Sequence, residues 1–236
     1  MAARIMPFFE IATGSTLGAL LGMRHALEPD HLAAVSTLIS DERGSFRGAF
    51  LGLCWGLGHT FALVVVGGVL ILLRAEMPPR VADLFEFGVA MMLIALGLRA
   101  ISRAARQGVA GPSALHQHGP VVHRHPGIAP HVHVGHFTLA RRPLLVGVVH
   151  GLAGSGALTA LVLATLPSAA ARITYMTLFG LGSTLGMAAL SGLLGWPLAR
   201  IGGETRTLHT ISLVVGCVST VLGVFWGVPL VGRLIG

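Results

Sequence analysis

The chain has 236 residues, 53% of them hydrophobic and only 11% charged, with 33 glycines and a formal charge of +7 carried by 16 arginines and no lysine. This composition, with a mean hydropathy of +0.80, excludes an ordinary soluble domain, whose surface needs about 25% charged residues. The arginines sit in short connections between apolar runs of about 20 residues, the length that crosses a bilayer, so a lipid bilayer and not a nucleic acid accounts for the basic charge.

Six spans are predicted, at about 9–40, 47–73, 82–100, 143–166, 173–199 and 208–234. The expected fold is an all-α polytopic membrane protein whose chain divides into a first three-helix unit (1–100), a long connection (101–142) and a second three-helix unit (143–236). No cleavable signal peptide is expected, because the first apolar segment itself carries ionisable residues.

That first segment contains GMRHALEPDHLAAVSTLIS, Gly22 to Ser40, which places His25, Glu28, Asp30 and His31 at membrane depth. Ionisable groups there are expensive and read by default as functional. On a regular helix His25, Asp30 and His31 would point about 0°, 140° and 240° around the axis and could not share an ion. Pro29 alters this: it lacks an N–H and leaves the His25 carbonyl without its partner, so the helix is expected to break between His25 and Asp30. The break can gather two imidazoles and a carboxylate around a cation, with the freed His25 carbonyl as a fourth donor. Irregular backbone at that depth is tolerated only where protein or a cavity surrounds it.

The second span holds His59 in GLGHT, where Gly56 and Gly58 permit close helix approach; His59 is expected as a ligand or beside the ligands. Cys54 and Cys217 lie in apolar spans and make no CxxC, so neither a disulfide framework nor a thiolate metal site is indicated. The connection 101–142 carries seven histidines, His116, His118, His123, His125, His131, His133 and His136, among Gly and Pro. Such a segment cannot pack a core and reads as a flexible, metal-buffering loop.

The two units repeat. GMRHALEPDHLAAVSTL (22–38) aligns with GVVHGLAGSGALTALVL (147–163), and WGLGHTFAL (55–63) with FGLGSTLGM (179–187), in the same order and at nearly one offset. An odd number of spans per unit requires the units to insert in opposite orientations, as inverted repeats with a site near the midplane. His25 then pairs with His150, Asp30 with Ser155 and His59 with Ser183, so the first unit keeps the strong ligands. Glu28, Thr60, His150, Ser155 and Ser183 are expected around the site or along the pathway. Ten arginines fall on one face (43, 47, 99, 103, 106, 124, 141, 142, 200, 206) and five on the other (4, 74, 80, 172, 233), with Arg24 within the membrane. The first face is therefore cytoplasmic, both termini lie outside, and the long loop lies inside.

The metal set expected from these residues is His25, Asp30, His31 and His59. Neutral imidazoles with a carboxylate suit nickel, cobalt, zinc or copper, and do not suit magnesium or calcium. No G-x-x-x-x-G-K-[ST] motif occurs, so the chain is expected to be a secondary transporter and not a nucleotide-hydrolysing enzyme.

HALEPDH resembles the H-x4-D-H signature of the nickel/cobalt transporter (NiCoT/NicO) superfamily, and LGHTFALVVVG resembles its LGH[ST]-x-VV segment; the whole looks like the shorter, six-span urease-associated nickel permease branch. The resemblance implies permeation of Ni2+ or Co2+ across the cytoplasmic membrane with His25, Asp30 and His31 essential, no permanent cofactor, and a cytoplasmic metallochaperone or urease maturation system as partner. Acidic LG-x-D-T motifs of the eight-span members are missing, since the later spans hold no acid between Glu86 and Glu204. Two alternatives stay open: an exporter using the same site, and a membrane thiol-redox protein of the cytochrome c biogenesis type that depends on Cys54 and Cys217.

Overall fold

The computed structural model describes residues 16–39, 44–107, 116–118, 121–123, 132–134, 137–166, 168–200 and 205–236. They form α1 (16–25), α2 (Pro29–Ile39), α3 (Ser45–Leu73), α4 (Pro79–Gln107), α5 (Arg141–Thr165), α6 (Ala169–Arg200) and α7 (Thr205–Ile235). Among the described residues, four stretches are long and apolar enough to cross a membrane: Ser45–Leu73, Pro79–Arg106, Ala169–Leu198 and Thr207–Ile235. Their outer faces carry Leu, Val and Phe, as α7 does with Val214, Val218, Val221, Phe225 and Val228, which is the surface a lipid solvent requires.

The first segment breaks where proline chemistry puts the break. The last turn of α1 tightens, with the Leu27 amide donating to the Arg24 carbonyl at 2.9 Å and the Glu28 amide to the His25 carbonyl at 3.0 Å. Pro29 then opens α2 at the first helical position, where its missing N–H costs nothing. The His25 carbonyl, expected to be free as a metal donor, is instead held by the Glu28 amide three residues on in the tightened turn.

The helices approach through glycine. A side chain on Gly22 of α1 would meet the Phe179 carbonyl and the Ser183 amide of α6. A side chain on Gly147 of α5 would meet the Trp55 carbonyl and the His59 amide of α3. Gly22 aligns with Gly147, Phe179 with Trp55 and Ser183 with His59, so the two contacts exchange under the internal alignment. Gly56 against Thr184 and Gly180 against Thr60 exchange in the same way. Beyond the aligned motifs, Gly97 of α4 faces the Gly216 carbonyl and Thr220, and Gly223 of α7 faces the Ala90 carbonyl and the Ile94 amide. At the α3–α6 contact Thr60 Oγ1 donates to the Gly180 carbonyl at 2.7 Å and lies 2.8 Å from Thr184 Oγ1. Having spent its one hydrogen, Thr60 accepts from Thr184.

Around this framework one core cluster gathers Ala26, Ala34, Val35, Ile39, Trp55, Leu93 and Met187. A second packs Leu63, Ile71, Val162, Met176 and Phe179. Cys54 is buried on α3, Cys217 is exposed on α7, and both are free thiols. Within the long connection, His116–His118 pairs antiparallel with Val121–His123, and Val132–Val134 with Phe137–Leu139. His125, His131 and His136 lie outside the described residues.

Candidate metal centre

The site forms where the α1–α2 break faces α3 and α5. Three of its histidines are buried, His31 and His59 completely and His150 to 2% exposure, and His25 is half-buried, among membrane-length helices where an unpaired polar atom is costly. Two groups of donors each fall within 4.8 Å of one another: His25, His31 and His59, and Asp30, His31 and His150.

The first group is held by carboxylates from behind. Glu28 Oε2 lies 3.0 Å from His25 Nδ1, and Asp30 Oδ1 lies 3.0 Å from His31 Nδ1 while also accepting the His31 amide at 2.9 Å. An ionised carboxylate can only accept, so each imidazole carries its hydrogen on Nδ1 and presents Nε2 as a bare lone pair. Both of those Nε2 atoms are buried without a protein partner among the described residues, as are both ring nitrogens of His59. The carboxylate–histidine arrangement behind a metal does the same, fixing tautomer and ring direction. Ring centroids lie 4.5 Å apart for His25 and His31, 5.4 Å for His25 and His59, and 5.6 Å for His31 and His59.

Asp30 is doubly occupied. Its second oxygen accepts from His150 Nε2 at 2.7 Å, which leaves His150 Nδ1 buried and without a partner. The residues expected from sequence are therefore all drawn together, but in a different grouping: Asp30 faces His31 and His150, and does not join His25 in one donor group. Of the flanking residues, Glu28 is at His25, Thr60 belongs to the α3–α6 contact, and Ser183 is fully buried with no partner for its hydroxyl. The side chains of Ser155 and of the loop histidines lie outside the described part of the structure.

Two neighbours escaped sequence reasoning. The indole of Trp55 stacks on His31 at 5.4 Å between centroids; its position four residues before His59 on α3 was the available signal, one helical turn along the same face. Gly154 of α5 is the other. A Cβ there would stand 3.8 Å from His25 Nε2 and 3.9 Å from His59 Nε2, so its glycine keeps open the volume beside those lone pairs.

Three imidazole nitrogens within 4.8 Å of one another suit a borderline transition-metal cation such as nickel, cobalt, zinc or copper. The comparisons agree. Residues 14–225 match the family model described as high-affinity nickel-transport protein. The chain is 32% identical over 212 residues to the urease accessory protein UreH of Bacillus sp. (strain TB-90), covering 89% of each. It is also 28% and 26% identical to the Arabidopsis thaliana chloroplast proteins FOR GROWTH AND FERTILITY 1 and 2, covering 78% and 79% of this chain and 50% and 48% of theirs. No solved structure matches. A match over nearly the whole chain makes this protein a member of the high-affinity nickel-transport (NicO) family.

Proposed function

We propose that this membrane protein is a secondary permease that carries Ni2+ or Co2+ inward across the cytoplasmic membrane through the His25, His31 and His59 nitrogens, with Asp30 and Glu28 orienting two of them. One observation carries the reading: three imidazoles, two of them directed from behind by carboxylates, present partnerless nitrogens within 4.8 Å inside a bundle of membrane-length helices. Those nitrogens replace water around a cation that lipid would otherwise exclude. A divalent ion moving inward gains roughly 4.6 kcal/mol at about 100 mV, so no other coupling is needed.

The same reading takes α1 to α4 and α5 to α7 as two inverted repeats making six spans, with α1 and α2 as one broken span. The exchanged contacts of Gly22 with Gly147, and of Gly56 with Gly180, support it, because a two-fold relation requires each contact to occur twice with partners swapped. The arginine bias puts both termini outside and the histidine loop in the cytoplasm, where it receives and buffers the ion. The name of the Bacillus relative supports delivery toward a urease maturation system.

The test is radioactive nickel and cobalt uptake by cells expressing wild type or His31→Ala at matched membrane levels. Accumulation that the substitution abolishes is expected. Wild-type accumulation below empty-vector cells would make the protein an exporter, and accumulation indifferent to His31 would remove the site.

A further inference from the structure

His31 belongs to both donor groups. Its Nε2 has no partner among the described residues, while its Nδ1 lies against Asp30, whose other oxygen is held by His150. The rings of His25 and His150 both approach His31, at 4.5 Å and 4.0 Å between centroids. These two histidines are aligned partners in the internal repeat, and under the inverted-repeat reading they approach the site from opposite membrane faces. Neither donor group among the described residues contains both.

We propose that the protein has two metal stations and not one: His25, His31 and His59 form the first, Asp30, His31 and His150 form the second, and the cation passes between them by changing nitrogens on His31. That ring stays neutral by yielding its Nδ1 proton to water shed by the ion and taking one from that water on Nε2. Asp30 Oδ1, relieved of that hydrogen, and the bare Nδ1 of His150 receive the ion, while His150 keeps its Nε2 proton on Asp30. This rests on the reading of the first group as the nickel site. A neutral imidazole coordinates through one nitrogen at a time, so the shared ring makes occupancy exclusive and couples leaving one station to entering the other. Movement through a pore requires binding strong enough to admit the ion and divided enough to release it, which successive sites provide. The stations differ in charge. The first is all imidazole, and the second adds the carboxylate of Asp30, which draws a divalent cation on from the neutral set.

His150→Gln and His25→Gln separate the stations. Glutamine retains an N–H where His150 Nε2 stands, so it keeps the hydrogen bond to Asp30 but cannot ligate. Each variant is purified in detergent, checked for a monodisperse peak and an unchanged melting transition, and titrated with Ni2+; uptake is measured in cells, and X-ray absorption reports the ligands. His150→Gln is expected to bind Ni2+ within about threefold of wild type, through imidazoles, while uptake falls to background. His25→Gln is expected to retain weaker binding with carboxylate oxygen and fewer imidazoles around the metal. Normal uptake by His150→Gln, binding lost in parallel with uptake in that variant, or no residual binding in His25→Gln would each overturn the second station. Unchanged nickel affinity in His31→Gln would overturn the first-group reading itself.

Discussion

The two halves of this protein share a scaffold and differ in chemistry. Helix α1 meets α6, and α5 meets α3, through the same glycine-to-carbonyl contact, Gly22 on Phe179 and Gly147 on Trp55. Yet the aligned positions hold Asp30 in one half and Ser155 in the other, His59 in one and Ser183 in the other. The backbone differs too: α2 starts afresh at Pro29, whereas α5 runs unbroken through Gly154, the position aligned with that proline. Packing tolerates little divergence because a glycine against a backbone carbonyl has no substitute. The ligands are unevenly shared: the first half holds His25, Asp30, His31 and His59, and the second contributes His150, which reaches Asp30 across the interface.

That comparison can be broken most severely at the shared contact. Gly22→Leu and Gly147→Leu each force a side chain onto a backbone carbonyl that cannot move aside. Both are expected to eliminate folded protein, read as loss of the monodisperse peak after detergent extraction. A strong effect in one half alone would mean that the halves do not use the contact equivalently.

Next come substitutions that separate the halves chemically. His59→Ala removes a buried donor and is expected to cost at least about tenfold in nickel affinity, about 1.4 kcal/mol, by calorimetric titration. Its aligned counterpart Ser183→Ala removes a hydroxyl that has no partner, and affinity is expected to stay within about twofold. Asp30→Asn keeps the shape but loses the accept-only carboxylate that sets the His31 tautomer. Loss of such an outer partner typically costs about 10–100-fold in metal affinity, and the same titration measures it. The smallest effect is expected at Thr60→Val, which deletes the Thr60 to Gly180 hydrogen bond between α3 and α6. Interhelical hydrogen bonds in membranes average about 0.6 kcal/mol, so a lowered unfolding midpoint with unaltered nickel affinity is the expected pair of results.

Much of this was legible in the chain because it is local. The break at Pro29 follows from a missing N–H, and the membrane-depth histidines are conspicuous against apolar neighbours. The repeat shows itself through paired glycines. What sequence could not supply was the partnership of residues brought together by packing. Asp30 and His25 share one short motif and were expected around one ion; the fold groups Asp30 with His31 and with His150, far along the chain. The His25 carbonyl looked free because an α-helical register was assumed, and the tightened turn gave it another amide. Trp55 carries a signal only through its place one helical turn before His59, and the close approach of α3 to the α1–α2 break makes its indole a wall for His31.

Whether nickel rests on the imidazoles of His25, His31 and His59 is read by X-ray absorption of Ni2+-loaded purified wild type and His31→Ala, with calorimetry on the same samples. One ion per chain, bound through several imidazoles, is expected in the wild type, with loss of that signature and of high-affinity binding in the variant. Nickel bound equally well, with the same ligand signature, in both proteins would contradict this placement.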